Sequence, residues 1–306
     1  MKEKSARKAF FLAILAVLFW STIPTAFKIG LRHQDTLQLL TGACFTSVLV
    51  LGLLLLPGKR YGKLAGFSRS DLWFSMLMGL LNPVAYYLIL FRAYSILPAQ
   101  VAQPLNMIWP IVLVIISIPL LKQKISWKSI GAMIISFAGI VVISLQGGSV
   151  SKDPENRLGI ILALSTSIIW AIYFIYNTRD NKDPVARLFL NFLFASLFLL
   201  IIGLVRGSLL EFTPRALGSA IYVGIFEMGL TFVLWLLAMQ YAPTADRISN
   251  LVFMAPFINL LIVRMVLNET IYLTTLYGIL LLVSGILMQN MIAKNAKKRR
   301  TNHTGN

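Results

Sequence analysis

Long apolar runs are the feature that most constrains this chain, because they are long enough to cross a lipid bilayer. A membrane-spanning helix needs about 20 mainly apolar residues, and short segments with Gly, Pro or Asp separate runs of this length along the sequence. We predict ten spans, at residues 10–31, 36–57, 72–95, 99–121, 128–146, 158–178, 185–205, 217–239, 245–267 and 272–293. The predicted fold is an all-α integral membrane protein with ten transmembrane helices.

The composition excludes several other classes of protein. Hydrophobic residues make up 58% of the chain and charged residues 13%, whereas soluble domains average about 45–50% and about 25%. The net charge of +17 would suit nucleic acid only on a water-exposed domain with its own core. Here the basic residues lie in short loops and at the termini, so we predict a lipid bilayer as the surroundings and no nucleic-acid partner.

Cysteine and histidine are too scarce to build a metal centre. Cys44 is the only cysteine, and His33 and His303 are the only histidines. One thiol can form neither an intrachain disulfide nor a thiolate cage. We therefore predict no metal and no cofactor.

The distribution of basic residues predicts the orientation of the chain in the membrane. If the N terminus is cytoplasmic, 20 of the 28 Lys and Arg residues fall on the cytoplasmic side. Basic loops stay inside the cell, so both termini are predicted to face the cytoplasm, in the plasma membrane or in the inner membrane of a Gram-negative cell. The basic tail, residues 294–306, then serves as a topology determinant and a contact for anionic lipid.

The two halves of the sequence resemble each other. GLLNPVAYYLILFRAYSILP (residues 79–98) aligns without a gap with GIFEMGLTFVLWLLAMQYAP (residues 224–243). Each half, 10–146 and 158–293, holds five predicted spans, and an odd number turns the second copy upside down in the membrane. Inverted repeats are typical of transporters, whose substrate site lies near the midplane between the repeats. Further aligned pairs are Trp20 with Trp170, Pro110 with Pro256, and Gly139 with Gly285.

These motifs resemble the drug/metabolite transporter superfamily, and in particular its EamA branch of ten-helix proteins made of two five-helix repeats. The resemblance covers residues 10–293 and is carried by LFWSTIPTAFKIG (residues 18–30) and APFINLLIVRMVLNETIYLTTLYGILLLVSGILM (residues 255–288). It implies a secondary transporter, commonly an exporter of amino acids, metabolites or drugs, and no covalent chemistry. The halves also differ, since Gln123 aligns with Glu269 and Thr178 with Lys28.

Polar residues in the first span mark a candidate substrate path. Ser21, Thr25 and Lys28 recur at i, i+4 and i+7 and so share one helical face, bordered by Trp20 and Pro24. Polar groups in hydrocarbon cost free energy unless something satisfies them, so this face is predicted to border a wet cavity. The alternative is helix packing through small hydroxyl residues, with Lys28 reaching outward to the membrane surface.

Similar polar and aromatic stripes recur in four other predicted spans. Aromatic rings with a polar edge suit an amphipathic organic solute, although such stripes also occur in ordinary helix packing and at the membrane interface. The candidates are Asn82 and Tyr86 in the third span, Gln103, Asn106 and Pro110 in the fourth, Thr166, Trp170, Tyr173 and Asn177 in the sixth, and Glu227, Thr231 and Trp235 in the eighth.

Glu227 is the only acidic residue placed deep in a predicted span. An ionisable group inside a membrane is a functional candidate by default, so Glu227 is predicted to couple transport to protons or to hold a substrate ammonium. It aligns with Asn82, and the two are predicted to face each other across the interface between the repeats. The alternative is a structural carboxyl paired with a nearby hydroxyl or cation.

Small residues mark places where helices can pack closely. Ala132, Ser136 and Gly139 share a face of the fifth span, and Gly278 and Gly285 lie in the tenth. Small side chains let helix backbones approach each other in membranes. These faces predict tight contact within the bundle or in a homodimer.

Taken with the repeat, these features predict a secondary active transporter that exports a small organic solute by alternating access. A passive channel is the first alternative. A membrane-embedded enzyme is the second, but it would need clustered acids or histidines, or a nucleophile with its base, and the sequence contains no such cluster.

The predicted orientation can be tested by thiol labelling of intact cells. Single cysteines placed at residues 59–69 or 179–183, in a Cys44→Ser background, should be shielded from an impermeant thiol reagent added outside. Both loops should react after the cells are opened. Labelling of either loop in intact cells would contradict the orientation.

Overall fold

In its described part, the computed structural model of the chain is entirely helical. It describes residues 5–109, 111–113, 115–116, 126–144, 153–178, 180–207, 213–241, 251 and 254–303. The α-helices are α1 Ala6–Leu31, α2 Thr36–Leu55, α3 Arg69–Gly79, α4 Tyr86–Ile96, α5 Ala99–Asn106, α6 Trp127–Ser144, α7 Pro154–Thr178, α8 Pro184–Arg206, α9 Pro214–Phe226, α10 Leu230–Tyr241, α11 Ala255–Leu267 and α12 Leu273–His303. A 3₁₀ helix, Pro57–Gly66, and a π-helical segment, Leu80–Ala85, complete the set.

Local capping residues fix where several helices begin. At α2, the Asp35 carboxylate accepts from the Gln38 N–H, and the Gln38 side chain accepts from the Asp35 N–H. Asp183 and Thr213 cap α8 and α9, each followed by a proline at the first helical position, where no N–H is needed. Gly207 ends α8 with a φ of 63°, a left-handed conformation that glycine adopts without steric cost.

Seven helical stretches in the described residues are long and apolar enough to cross a membrane. They are Ala6–Leu31, Thr36–Leu55, Arg69–Ile96, Pro154–Tyr176, Pro184–Arg206, Pro214–Trp235 and Leu273–Ile292. Two shorter apolar helices, Trp127–Ile143 and Ala255–Leu267, overlap the predicted fifth span and the second part of the predicted ninth. Only part of the predicted fourth span, including α5, lies within the described residues, and Pro110 lies outside them. The apolar helices fit a multi-pass membrane protein, while the count of ten spans stays a prediction.

Two of the predicted spans are interrupted at aligned positions. In the third span, Asn82 has φ −145° and ψ 114° and precedes Pro83, which has no N–H for a helical hydrogen bond. In the eighth, α9 ends at Phe226 and α10 begins at Leu230. This second break interrupts the single helical face predicted for Glu227, Thr231 and Trp235. Both interruptions free backbone polar groups inside the bundle, where only protein groups or a wet cavity can satisfy them.

The helices of each half pack mainly on helices of the other half. Helix α2 packs between α8 and α9, and the most extensive contact between two helices joins α6 to α12. In that contact Gly139 lies against Gly278, and Gly285 lies against Ser136. The Ser136 hydroxyl donates to the Leu282 carbonyl at 3.0 Å. The predicted small-residue faces therefore meet each other inside the bundle.

A buried arginine joins the halves at one end of the bundle. Arg187 of α8 has a side chain only 3% exposed. Its Nη1 atom donates to the Asp71 carbonyl and to the Ser75 hydroxyl, both at 2.7 Å. Its Nε atom pairs with the Asp180 carboxylate at 2.5 Å. Lys182 adds an ion pair to Asp71 at 2.9 Å, so the loop before α3 and the loop before α8 lie at the same end.

A neutral amide makes the corresponding contact at the start of α9. The Gln34 Nε2 atom donates to the Ala216 carbonyl at 3.0 Å and to the Ser219 hydroxyl at 3.1 Å. Gln34 is buried and immediately precedes the cap of α2. The halves are thus joined through side chains near the starts of α2 and α8, by an amide in one case and a guanidinium in the other.

The glycine contact between α6 and α12 gives a stability prediction. A Cβ atom at Gly139 would lie 2.5 Å from the Gly278 carbonyl oxygen and 2.6 Å from the Leu282 backbone nitrogen. Overpacking costs about 1–3 kcal/mol, so Gly139→Ala should lower the melting temperature of the purified protein in detergent by several degrees. Gly131 of the same helix has no atom within 4 Å of such a Cβ, so Gly131→Ala is the matched control. Equal melting temperatures for the two variants would contradict the packing.

Candidate functional site

A cavity of about 110 Å³ lies between the two halves of the chain. Its volume is of the order that holds a benzene-sized group. Helices α1, α4 and α5 of the first half form part of the wall, and α7, α10 and the break between α9 and α10 form the rest. The lining residues are Trp20, Ile23, Pro24, Phe27, Tyr86, Leu90, Tyr94, Gln103, Asn106, Met107, Trp109, Trp170, Glu227 and Phe232.

Aromatic rings make up much of this wall and contact one another. The Trp170 ring lies 5.3 Å from Tyr86 and 5.9 Å from Phe232, measured between ring centroids. The Phe232 ring in turn lies 6.1 Å from Trp20. Phe232 therefore links the two tryptophans that the sequence repeat aligns. Rings at these separations form a continuous apolar surface with favourable edge and offset contacts.

Glu227 is the only charged residue among the described residues that line the cavity. It lies in the break after α9 and is half-buried. Its Oε1 atom accepts a hydrogen bond from the Tyr87 hydroxyl at 2.9 Å, and Tyr87 is fully buried against Phe27 and Phe91. The Oε2 atom is also buried, and no described residue donates to it. The carboxyl group is thus held on one side and has acceptor capacity on the other.

Two amide side chains of α5 lie on the cavity wall. Asn106 uses both ends within the protein, because its Nδ2 atom donates to Thr166 at 2.7 Å and its Oδ1 atom accepts from the Tyr86 hydroxyl at 3.1 Å. Gln103 is buried, and its Oε1 atom accepts no hydrogen bond from the described residues. Asn106 therefore fixes the wall, while Gln103 adds a second unsatisfied acceptor to the lining.

Lys28 lies outside the lining and caps a helix. Its Nζ atom donates to the carbonyls of Tyr94 and Leu97, at 2.9 and 3.0 Å, where α4 ends. A cation at this position satisfies free carbonyls and interacts favourably with the helix dipole. Glu269 makes the complementary contact at the start of α5, where it accepts from the Ala99 N–H at 3.1 Å.

Six of the polar and aromatic residues predicted for the site line the cavity, as does Pro24, which borders the predicted face of α1. The six are Trp20, Tyr86, Gln103, Asn106, Trp170 and Glu227. Of the others, Ser21 donates to the Val17 carbonyl, and the Thr231 hydroxyl donates to the Phe226 carbonyl freed by the helix break. Trp235 packs on Trp20 at 5.4 Å between ring centroids. The remaining residues outside the lining are Thr25, Lys28, Asn82 and Tyr173, and the side chain of Asn177 lies outside the described residues.

Sequence reasoning missed several aromatic residues of the site. Tyr87 holds Glu227, and Phe27, Tyr94 and Trp109 line the cavity. Tyr87, Phe91 and Tyr94 recur at i, i+4 and i+7, so the stripe was visible in the sequence. The Phe27 ring contacts the rings of all three residues in this stripe. The break at Asn82 sets the direction of this face, and the sequence periodicity does not give that direction.

Comparison with known proteins identifies the class to which this fold and cavity belong. The model of the EamA-like transporter family matches residues 7–145 and 157–291. The chain therefore belongs to this family, within the drug/metabolite transporter superfamily, and the predicted resemblance is confirmed. It is a member of a family of multi-pass membrane transporters.

Individual relatives are distant but span most of the chain. An uncharacterized transporter of Bacillus subtilis strain 168, YvbV, is 25% identical over 298 residues, 95% of this chain and 94% of its own length. The aromatic amino acid exporter YddG of Ancylobacter novellus is 23% identical over 188 residues, 59% of this chain and 61% of its own length. A solved crystal structure matches with a TM-score of 0.67 at 20% identity, covering 95% of this chain and 99% of the solved chain, and so supports the fold.

The aromatic wall predicts which tryptophans matter for transport. Trp170→Ala should slow transport of an aromatic solute by about tenfold, since a lost ring contact costs ~0.5–1.5 kcal/mol in addition to the lost burial. Trp127 is 86% exposed and lies outside the lining, so Trp127→Ala should transport like the parent. Transport can be measured as uptake by everted vesicles with matched expression. Parental transport by Trp170→Ala would show that the aromatic wall is not the path.

Proposed function

We propose that the chain is a secondary active exporter of small organic solutes, such as amino acids or related metabolites, that works by alternating access. One observation carries this proposal. The cavity lies between the two halves, and its lining comes from both, with a single carboxyl group at a helix break. A solute bound there contacts both halves, so a movement of one half against the other would expose it to either side of the membrane.

Helix packing supports an inverted repeat of two five-helix units, residues 10–146 and 158–293, with residues 294–306 as a basic tail. Helix α1 packs on α10 and α11, and α7 packs on the equivalent α4 and α5. Likewise α2 packs on α9, and α8 packs on α3. Every contact named here has its counterpart under exchange of the halves, as a twofold relation between two repeats requires. Ten spans follow if residues 99–121 and 245–267 each complete one.

The relatives support the class of solute. YddG of Ancylobacter novellus is named as an exporter of aromatic amino acids, and the cavity of the present chain is lined largely by aromatic side chains. Flat apolar solutes with a polar group match such a wall. The relatives are named as transporters rather than enzymes, which supports a function without covalent chemistry.

The charge distribution supports an orientation with both termini in the cytoplasm of a cell bounded by the plasma or inner membrane. The loops predicted to be cytoplasmic contact each other, since Lys63 pairs with Asp183 at 2.5 Å. At the N terminus, the Ser5 N–H donates to the Tyr241 carbonyl at 2.9 Å. The start of α1 and the end of α10 therefore lie together, as the predicted order of spans requires.

Glu227 is the residue that we assign to proton coupling. Glu227 lines the cavity and its carboxyl group is held by Tyr87, so a solute bound at this group would compete with a proton for it. Such competition is a simple means of exchanging one for the other across a membrane. Lys28 is hydrogen-bonded to carbonyls at the end of α4 and lies outside the lining. The described lining therefore contains no cation that could pair with Glu227.

Glu227→Gln tests this assignment in proteoliposomes that carry a pH gradient. The glutamine keeps the shape and one acceptor but cannot titrate, so net uphill transport should be lost and its dependence on pH should flatten. Exchange of solute for solute should survive. Glu155 is exposed and pairs with Arg92 at 3.7 Å, so Glu155→Gln serves as control and should behave like the parent. Full uphill transport by Glu227→Gln, with the parent's pH profile, would contradict the assignment.

A further inference from the structure

We propose that the cavity selects an aromatic amine, a solute with a ring and an ammonium group but no free carboxylate. This inference rests on the proposed function only in taking the cavity as the substrate site. It differs from what the name of the related exporter of aromatic amino acids suggests, because an amino acid carries both charges.

The only charged group that the described lining offers is an acid. Glu227 supplies a carboxyl group whose Oε2 atom accepts no hydrogen bond from the described residues. When this group is ionised, an ammonium group complements it, because an ammonium offers three N–H donors and the opposite charge. A solute carboxylate in the same cavity would lie near a group of like charge, away from bulk water. Burying an unpaired charge is strongly unfavourable.

Lys28 is the nearest lysine on the helices of the wall, and it is already occupied. Its ammonium group is held by the carbonyls of Tyr94 and Leu97 at the end of α4. Lys28 lies outside the lining, so a movement into the cavity to reach a solute carboxylate would take it away from these carbonyls. It therefore neutralises a helix end and does not serve as a carboxylate site.

The polar atoms of α5 favour the same choice. The Asn106 Nδ2 atom donates to Thr166, and its Oδ1 atom accepts from the Tyr86 hydroxyl. Gln103 has an acceptor, Oε1, that is buried and receives no hydrogen bond from the described residues. The lining thus holds two unused acceptor atoms, on Glu227 and Gln103. Unused acceptors suit a solute that donates hydrogen bonds, as an ammonium does.

The rings of the wall supply the rest of the recognition. The cavity that Glu227 lines is also lined by the rings of Trp20, Tyr86, Trp170 and Phe232. Aromatic faces attract an ammonium group electrostatically, most strongly where water is excluded. They also stack on the ring of the solute. A ring and an ammonium joined by a short chain would use both kinds of contact.

Three probes that share one ring and differ in charge test the proposal on the purified full-length protein. They are phenethylamine with an ammonium, phenylalanine with both charges and 3-phenylpropanoate with a carboxylate. Dissociation constants come from titration calorimetry, with thermal stabilisation as a second measure. Phenethylamine should bind at least about tenfold more tightly than phenylalanine, and 3-phenylpropanoate should bind most weakly.

Two glutamate variants separate the cavity carboxyl from a structural one. Glu269 resembles Glu227 in its bonding, because one oxygen accepts a hydrogen bond and the other is buried without one among the described residues. It lies outside the lining. Glu227→Gln should remove the preference for phenethylamine over phenylalanine, whereas Glu269→Gln should retain it. Equal loss in both variants would assign the effect to stability and overturn the proposal.

Other outcomes also decide the matter. If phenylalanine binds as tightly as phenethylamine and Lys28→Gln weakens it, Lys28 holds the carboxylate and the proposal is wrong. If phenethylamine does not bind while vesicles still exchange another solute, the solute class is wrong but the transport function stands. If phenethylamine binds with the stated preference but the vesicles transport neither it nor any other solute tested, the binding inference holds and the proposed transport function fails.

Discussion

Close packing between the two halves of the chain is the interaction on which the rest of the structure depends. In a bilayer, lipid is as apolar as a helix surface, so helices associate through small residues and hydrogen bonds. Gly139 and Gly278 allow the backbones of α6 and α12 to touch. In the same way, Gly79 brings α3 against α8, and Gly224 brings α9 against α2. The cavity lies between the two halves that these contacts join, and its wall comes from both. A solute in it would therefore contact both halves.

The polar groups inside this bundle follow a single rule, which is that each must find a protein partner or a wet surface. Lys28 satisfies the end of α4, and Thr231 satisfies the carbonyl that the break after α9 sets free. Arg187 and Gln34 tie the halves at the starts of α3 and α9 through the same kinds of partner, a backbone carbonyl and a serine hydroxyl. Glu227, Gln103, Gln34 and Glu269 each carry a buried acceptor that no described residue satisfies, but of these four only Glu227 and Gln103 line the cavity. This difference is what separates the candidate site from the polar groups that serve only the fold.

The sequence predicted the helical class, the family and the close contact of the small-residue faces, because apolar length, repeat spacing and glycine position are local signals. It also predicted that Trp20, Trp170 and Glu227 matter together, and the structure places all three on one cavity. It did not predict where Lys28 or Trp235 would point. Their directions depend on the end of α4 and on the break between α9 and α10, which are set by contacts between distant segments. Tyr87 was missed for the same reason, since only the folded chain brings it to Glu227, 140 positions away.

Trans-stimulated exchange in proteoliposomes of the purified protein tests the central claim most directly, namely that one site between two halves opens alternately to each side. Uptake of a labelled aromatic solute should be saturable and should accelerate when the vesicles are preloaded with the same unlabelled solute. A carrier behaves in this way because the loaded site returns faster than the empty one. Uptake that rises linearly with concentration and ignores the internal solute would identify a passive pore, and it would contradict the account.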